Sequence, residues 1–202
     1  MRFKHPLIIL GLLINAALTP LGAESPLTGP GGFTFTGTWN CAGNFVRSGK
    51  MHRSIYVGST VPGSGWILLV ESDTEPRGYV GHYLIGYDPN QKQVVELDAN
   101  NAGYAIYSGP GWQDHSLILT STGTSSYSGP KNRFVFESKS VDAFDVNWET
   151  DTGSGWAAAD HLSCQRAADG KPTVVVSDEL LVERPIAGTE RQYILLNATP
   201  AG

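Results

Sequence analysis

The chain has 202 residues, a formal net charge of −5 at pH 7 and only two cysteines. Its length suits one domain with a sizeable core. Its mildly acidic balance lacks the basic stripe that nucleic acid or an anionic membrane surface would require.

The N-terminus reads as an export signal. Arg2, Lys4 and His5 form a short basic region, residues 6–18 are almost wholly apolar, and Thr19-Pro20-Leu21-Gly22-Ala23 adds a helix breaker and small residues before Glu24. This layout predicts a signal peptide over residues 1–23, cleaved after Ala23. The apolar run is shorter than the ~20 residues of a membrane span, so no span is expected after cleavage. No cysteine sits just after the cleavage point, which argues against a lipid anchor. Loss of Arg2 and Lys4 would change the formal charge from −5 to −7. The expected location is periplasmic or secreted, where Cys41 and Cys164 should pair.

Residues 24–32 are a Pro/Gly-rich lead-in without periodicity. Phe33, Phe35, Gly37, Trp39 and Cys41 share one parity, the signature of a half-buried strand. Further strand-like runs occupy 53–58, 66–71 and 78–87, the last ending at the turn Asp88-Pro89-Asn90-Gln91, where Pro presets φ. Residues 93–98 and 103–107 pair across Ala99-Asn100-Asn101-Ala102. Runs at 115–121, 133–139, 143–150 and 155–166 follow. Spacing of about ten residues, without a capped helical period, predicts an all-β fold over residues 33–166. Residues 167–202 form a C-terminal extension. Within it, 173–177 and 192–196 could add strands, or the whole could be a loose tail. Asn197-Ala198-Thr199 matches a glycosylation acceptor, a pattern common by chance.

An up-and-down antiparallel barrel is preferred to an open sandwich. Trp156, Ala158, Asp160, Leu162 and Cys164 share a parity on the last run, as Cys41 does with the inward set of the first. A disulfide between them would bring first and last strands together, as barrel closure does. A sandwich could also place these ends together.

Gly37-Thr38-Trp39 resembles the Gly-X-Trp signature of lipocalins and related calycins. The resemblance implies that Trp39 packs across the closed end of a barrel, under an Arg from the last strand, a place Arg166 could fill. With Gly86-Tyr87-Asp88 in mid-chain and the closing run 158–166, the order also resembles a family of bacterial calycin-like domains without an agreed activity. The resemblance covers about residues 33–166 and implies a fold rather than a reaction.

Chemistry is harder to find. His52, His82, His115 and His161 show no short metal-binding spacing, so no metal site is expected. Haem ligation needs only one His and stays open, with His82 as the first choice because it shares parity with Val80 and Leu84. The opposite parity holds Tyr79, Tyr83, Ile85 and Tyr87, which would leave His82 outside. Asp160, on an apolar parity, would need a partner, for which Arg47 or Arg53 were available. Gly63-Ser64-Gly65 and Gly153-Ser154-Gly155 read as turns rather than nucleophile elbows.

Phe144, Val146 and Trp148 share a parity, as do Trp156 and Leu162. They predict an apolar wall with Trp148, Trp156, Asp160 and His82 as ligand-binding residues. The Gly/Pro segment between Tyr104 and Trp112 would form a rim or lid. The favoured reading is an exported lipocalin-like barrel binding a small apolar ligand. Two others stand beside it: a filled barrel serving as a structural or interaction module of the cell envelope, and a hydrolase or isomerase using Asp160 and a nearby His.

Overall fold

The computed structural model describes residues 25–168. The expected signal peptide and the features at 173–177, 192–196 and Asn197-Ala198-Thr199 lie outside the described residues. The strands are β1 (Gly37–Phe45), β2 (Met51–Thr60), β3 (Ile67–Glu75), β4 (Arg77–Asp88), β5 (Gln93–Asn100) and β6 (Gly103–Gly109). They continue as β7 (Trp112–Gln113), β8 (Ser116–Ser125), β9 (Asn132–Ser140), β10 (Ala143–Asp151) and β11 (Trp156–Arg166).

Ten strands close an antiparallel up-and-down barrel. β1 to β6 pair in sequence, β6 pairs β8, β8 to β11 pair in sequence, and β11 returns to β1. The two-residue β7 pairs only with β8, outside the ring. Cys41 and Cys164 stand directly opposite in the β1/β11 register and are disulfide-bonded. The bond therefore lies across the seam at which the barrel closes.

One end is solid. Phe33, Phe35, Trp39, Leu69, Ile85, Val94, Leu117, Leu119 and Phe144 are fully buried there. Phe35 packs on Phe136 and Phe144 with ring centres 5.0 and 5.7 Å apart. The strand at the start of the barrel begins only at Gly37, yet Phe33 and Phe35 still point inward, because the preceding segment folds across this end. Leu27 is also buried here, and Trp112 donates its indole N–H to the Leu27 carbonyl (3.3 Å). Trp112 thus belongs to the plug, since its ring packs on Phe33 and Phe35. This corrects the expected rim or lid: the Gly/Pro turn before Trp112 lies at the closed end.

The Gly-X-Trp segment has a steric reason. Gly37 has φ +101°, and a Cβ there would stand 2.6 Å from Arg166 Nη1. A side chain would be strained by the backbone and would collide with the guanidinium. Gly86 is constrained differently, since a Cβ would stand 1.9 Å from the Trp66 ring. Asp88 then organises the turn by accepting the N–H groups of Asn90 (2.8 Å) and Gln91 (3.3 Å).

Strict alternation fails on β11. Its pairing with β10 shifts between Trp148 and Glu149, so that Asp160 faces Trp148 but Ala158 faces Glu149. Ala159 is the extra residue of a β-bulge, which inverts the parity of what precedes it. Ala158 is consequently exposed, and Trp156 leaves the interior.

Candidate functional site

The other half of the barrel is open. A cavity of about 820 Å³ enters there and ends on the aromatic plug. Its wall combines Phe45, Tyr56, Tyr79, Tyr83, Tyr107, Phe134, Val146, Trp148 and Leu162 with His52, Glu71, Asp73, Asp98 and Asp160. The acidic groups arrive by continuation of inward parities: Ile67-Leu69-Glu71-Asp73 on β3 and Val94-Glu96-Asp98 on β5 are all buried. The apolar half of each strand packs the plug, and its polar half faces the cavity.

Seven side chains form one hydrogen-bonded chain along this wall. His52 is 3% exposed and lies between two carboxylates, with Nδ1 2.9 Å from Asp160 and Nε2 2.9 Å from Asp73. Ser54 Oγ lies 2.5 Å from Asp73 and 3.0 Å from Glu71. The second Glu71 oxygen accepts the Tyr83 hydroxyl at 2.5 Å, and Tyr79 meets that hydroxyl at 3.0 Å.

The proton count follows from these contacts. Two carboxylates facing the two ring nitrogens require two N–H donors, so His52 is an imidazolium. Burial works against its charge, but the hydrogen bonds and charges of Asp160 and Asp73 outweigh it and raise the pKa from 6.5 to about 10. Ser54 Oγ stands as a hydrogen-bond donor to the carboxyls of both Asp73 and Glu71. Burial raises the Glu71 carboxyl to about 7, opposed by hydrogen bonds from Tyr83, Tyr56 and Ser54 and reinforced by the charge of Asp73.

Ser54, His52 and Asp160 stand in the order of a nucleophile, base and orienter, with Ser54 Oγ 3.0 Å from His52 Nε2. The chemistry does not follow. A base must have a free lone pair to take the serine proton, and Asp73 keeps Nε2 protonated. His52, Glu71 and Asp73 are also, among the described residues, a group whose donor atoms lie within 4.8 Å of one another and could share a cation. Binding one at neutral pH would require displacing the His52 proton. The His spacing could not have revealed this group, because it is assembled from two strands.

The sequence-predicted residues divide evenly. Trp148 and Asp160 line the cavity, and Trp148 lies close enough to the Tyr107 hydroxyl to oppose the rise in its pKa that burial causes. The partner of Asp160 is His52 rather than Arg47 or Arg53, both of which are exposed. His82 is corrected: it is exposed on the outer face of β4, whose inward parity belongs to Gly81, Tyr83 and Ile85. Trp156 is corrected as well. The bulge turns it outward, where Arg133 lies 4.4 Å from its ring centre and pairs with Glu149 at 2.6 Å.

His52, Glu71, Asp73 and Asp98 escaped the sequence reading. A detectable signal existed for each acid, namely a carboxylate continuing an apolar alternation. Compared with known protein families the chain matches none, and compared with curated proteins it matches none.

Proposed function

We propose that the protein is an exported, lipocalin-like barrel that binds a small molecule with an apolar body in its open half. The observation carrying this reading is the cavity of about 820 Å³, walled by aromatic rings above a solid plug. Small-molecule sites are concavities of ~300–1,000 Å³ that combine apolar walls with a few placed polar groups. The seam disulfide and the plug support a rigid wall, which limits the ordering cost of binding. Export rests on the signal-like residues 1–23 and on the disulfide. The lipocalin-like assignment rests on the Gly37-Thr38-Trp39 segment with Arg166 above Trp39.

The test is uptake of the neutral dye N-phenyl-1-naphthylamine, followed by its fluorescence. Wild type should bind it saturably. Val146→Trp, which extends an indole into the cavity, should block uptake while leaving the far-UV spectrum unchanged. A dye signal that survives this substitution would place binding elsewhere, and no uptake by wild type would remove the reading.

A further inference from the structure

One carboxylate of the cavity wall is unlike the rest. Asp73 and Asp160 are neutralised by His52, and Glu71 lies among the hydroxyls of Tyr83 and Ser54. Asp98 has no such arrangement. It is 4% exposed, lines the cavity and accepts one side-chain hydrogen bond, from Asn100 Nδ2 at 3.0 Å. Among the described residues no cationic group pairs with it at 4.0 Å or less. Arg77 and Lys131 line the cavity but are exposed at its rim.

Directly inward of Asp98 on the same strand face, Glu96 is 0% exposed, and neither of its carboxylate oxygens has a hydrogen-bond partner. Burial, reinforced by the charge of Asp98, raises this carboxyl well above its ordinary range and so keeps it protonated. Burial also raises Asp98, with Asn100 opposing, but only to about 6, so it is ionised at pH 7. A buried charge without a counter-ion is costly. Nothing in the packing of the barrel requires one here.

The surroundings of Asp98 are aromatic. Its charge acts on the hydroxyls of Tyr79, Tyr83, Tyr107 and Tyr127. Asn100 Nδ2 reaches the Tyr127 hydroxyl at 2.6 Å. Phe134 continues this wall, with its ring centre 5.0 Å from that of Tyr107. A carboxylate among aromatic rings suits an organic cation, which gains from both the opposite charge and the ring quadrupoles. It suits a hard metal ion poorly, because such an ion needs six or more converging oxygen ligands.

We infer that the ligand of this barrel is an organic ammonium ion whose cationic head sits against Asp98 among Tyr79, Tyr107 and Tyr127. Its apolar body then lies along Phe134, Val146 and Trp148. This inference rests on the binding function proposed above and names its ligand class.

The experiment is calorimetric titration at pH 7.5 of wild type and Asp98→Asn with 2-phenylethylammonium, 2-phenylethanol and 3-phenylpropionate. These share a body and differ in head charge. Wild type should bind the ammonium about tenfold or more tighter than the alcohol, with the carboxylate weakest. Asp98→Asn should remove that preference, weakening the ammonium about tenfold or more relative to the alcohol.

Equal or tighter binding of the alcohol would overturn the inference, as would an unchanged preference in Asp98→Asn. Uptake of the neutral dye without binding of any of the three would also overturn it, and in each of these cases the binding function itself survives. Failure of the dye and of all three probes would remove both. Should Asp98→Asn not fold, the order of affinities in wild type decides: ammonium, then alcohol, then carboxylate supports the inference, and any other order overturns it.

Discussion

The guanidinium of Arg166 lies over the indole of Trp39, 4.0 Å from its ring centre, and the two residues face each other in the β1/β11 register. The same guanidinium donates to Asp142 (2.8 Å), to the Val141 carbonyl (2.8 Å) and to the Thr36 carbonyl. It therefore ties the segment entering β1 to the turn between β9 and β10. Arg166→Ala should cost roughly 2–4 kcal/mol, from the lost charge-assisted hydrogen bonds and the cation–π contact. Arg166→Lys should recover little of this, because an ammonium lacks the planar fork. Urea unfolding measures both, and dye uptake at the opposite end should be unchanged.

Trp39 is 0% exposed and donates its indole N–H to the Phe35 carbonyl at 2.9 Å. Trp39→Ala should therefore cost roughly 3–5 kcal/mol, as expected for a large-to-small change in a packed core. Stability within 1 kcal/mol of wild type, an outcome at odds with that range, would mean that the plug is not the core of the fold.

The seam disulfide joins residues separated by 123 positions. Replacing both Cys41 and Cys164 by Ser should lower the unfolding free energy by about 4–5 kcal/mol in the chain-entropy account. The circular dichroism of the folded variant should remain that of a β-protein, since ten-strand pairing does not depend on the bond. A variant as stable as wild type would show that closure needs no covalent help.

The interior titrates in an unusual direction. His52 has its pKa raised from 6.5 to about 10, so the stability due to its pairing is fully present below pH 6.5 and is lost as pH rises toward 10. Asp98 is raised from 3.8 to about 6, so its burial also costs stability as pH rises through that lower window. Between about pH 6.5 and 9 the buried carboxyls of Glu71 and Glu96 contribute a fall of the same sign, so the share due to His52 is the difference between wild type and a variant without the imidazole. Urea unfolding should show stability falling across this interval in wild type and a flatter profile in His52→Gln. A wild-type profile that rises with pH would contradict the imidazolium assignment.

Trp148 and Trp156 should behave oppositely. Trp148→Leu should weaken dye binding while costing about 1–2 kcal/mol of stability, since Leu keeps the wall apolar but abandons Tyr107. Trp156→Leu, on the outer face with Arg133, should leave dye binding unchanged. Titration of the two purified variants with the same dye separates the cases.

Much of the barrel was legible because a strand's side-chain alternation is local. The ten strand runs, the inward set Phe144-Val146-Trp148 and the pairing of Cys41 with Cys164 follow from period-2 patterning and the count of two cysteines, whereas the place of Arg166 over Trp39 was implied by the lipocalin resemblance. Parity alone, however, does not say which of two alternating sets is inside. On β4 both sets are rich in apolar side chains, and only packing in the closed ring placed Tyr83 inside and His82 outside. A single inserted residue, Ala159, reversed the parity of Trp156, and no residue type in that stretch announces a bulge. The chain His52-Ser54-Asp73-Glu71-Tyr83 and its link to Asp160 join positions up to 108 apart in sequence. Their meeting depends on strand register and ring closure. The sequence by itself therefore determined the strands and the seam, whereas the tertiary structure decided the make-up of the plug and the identity of the polar wall, because both consist of contacts between segments rather than of periodicity within them.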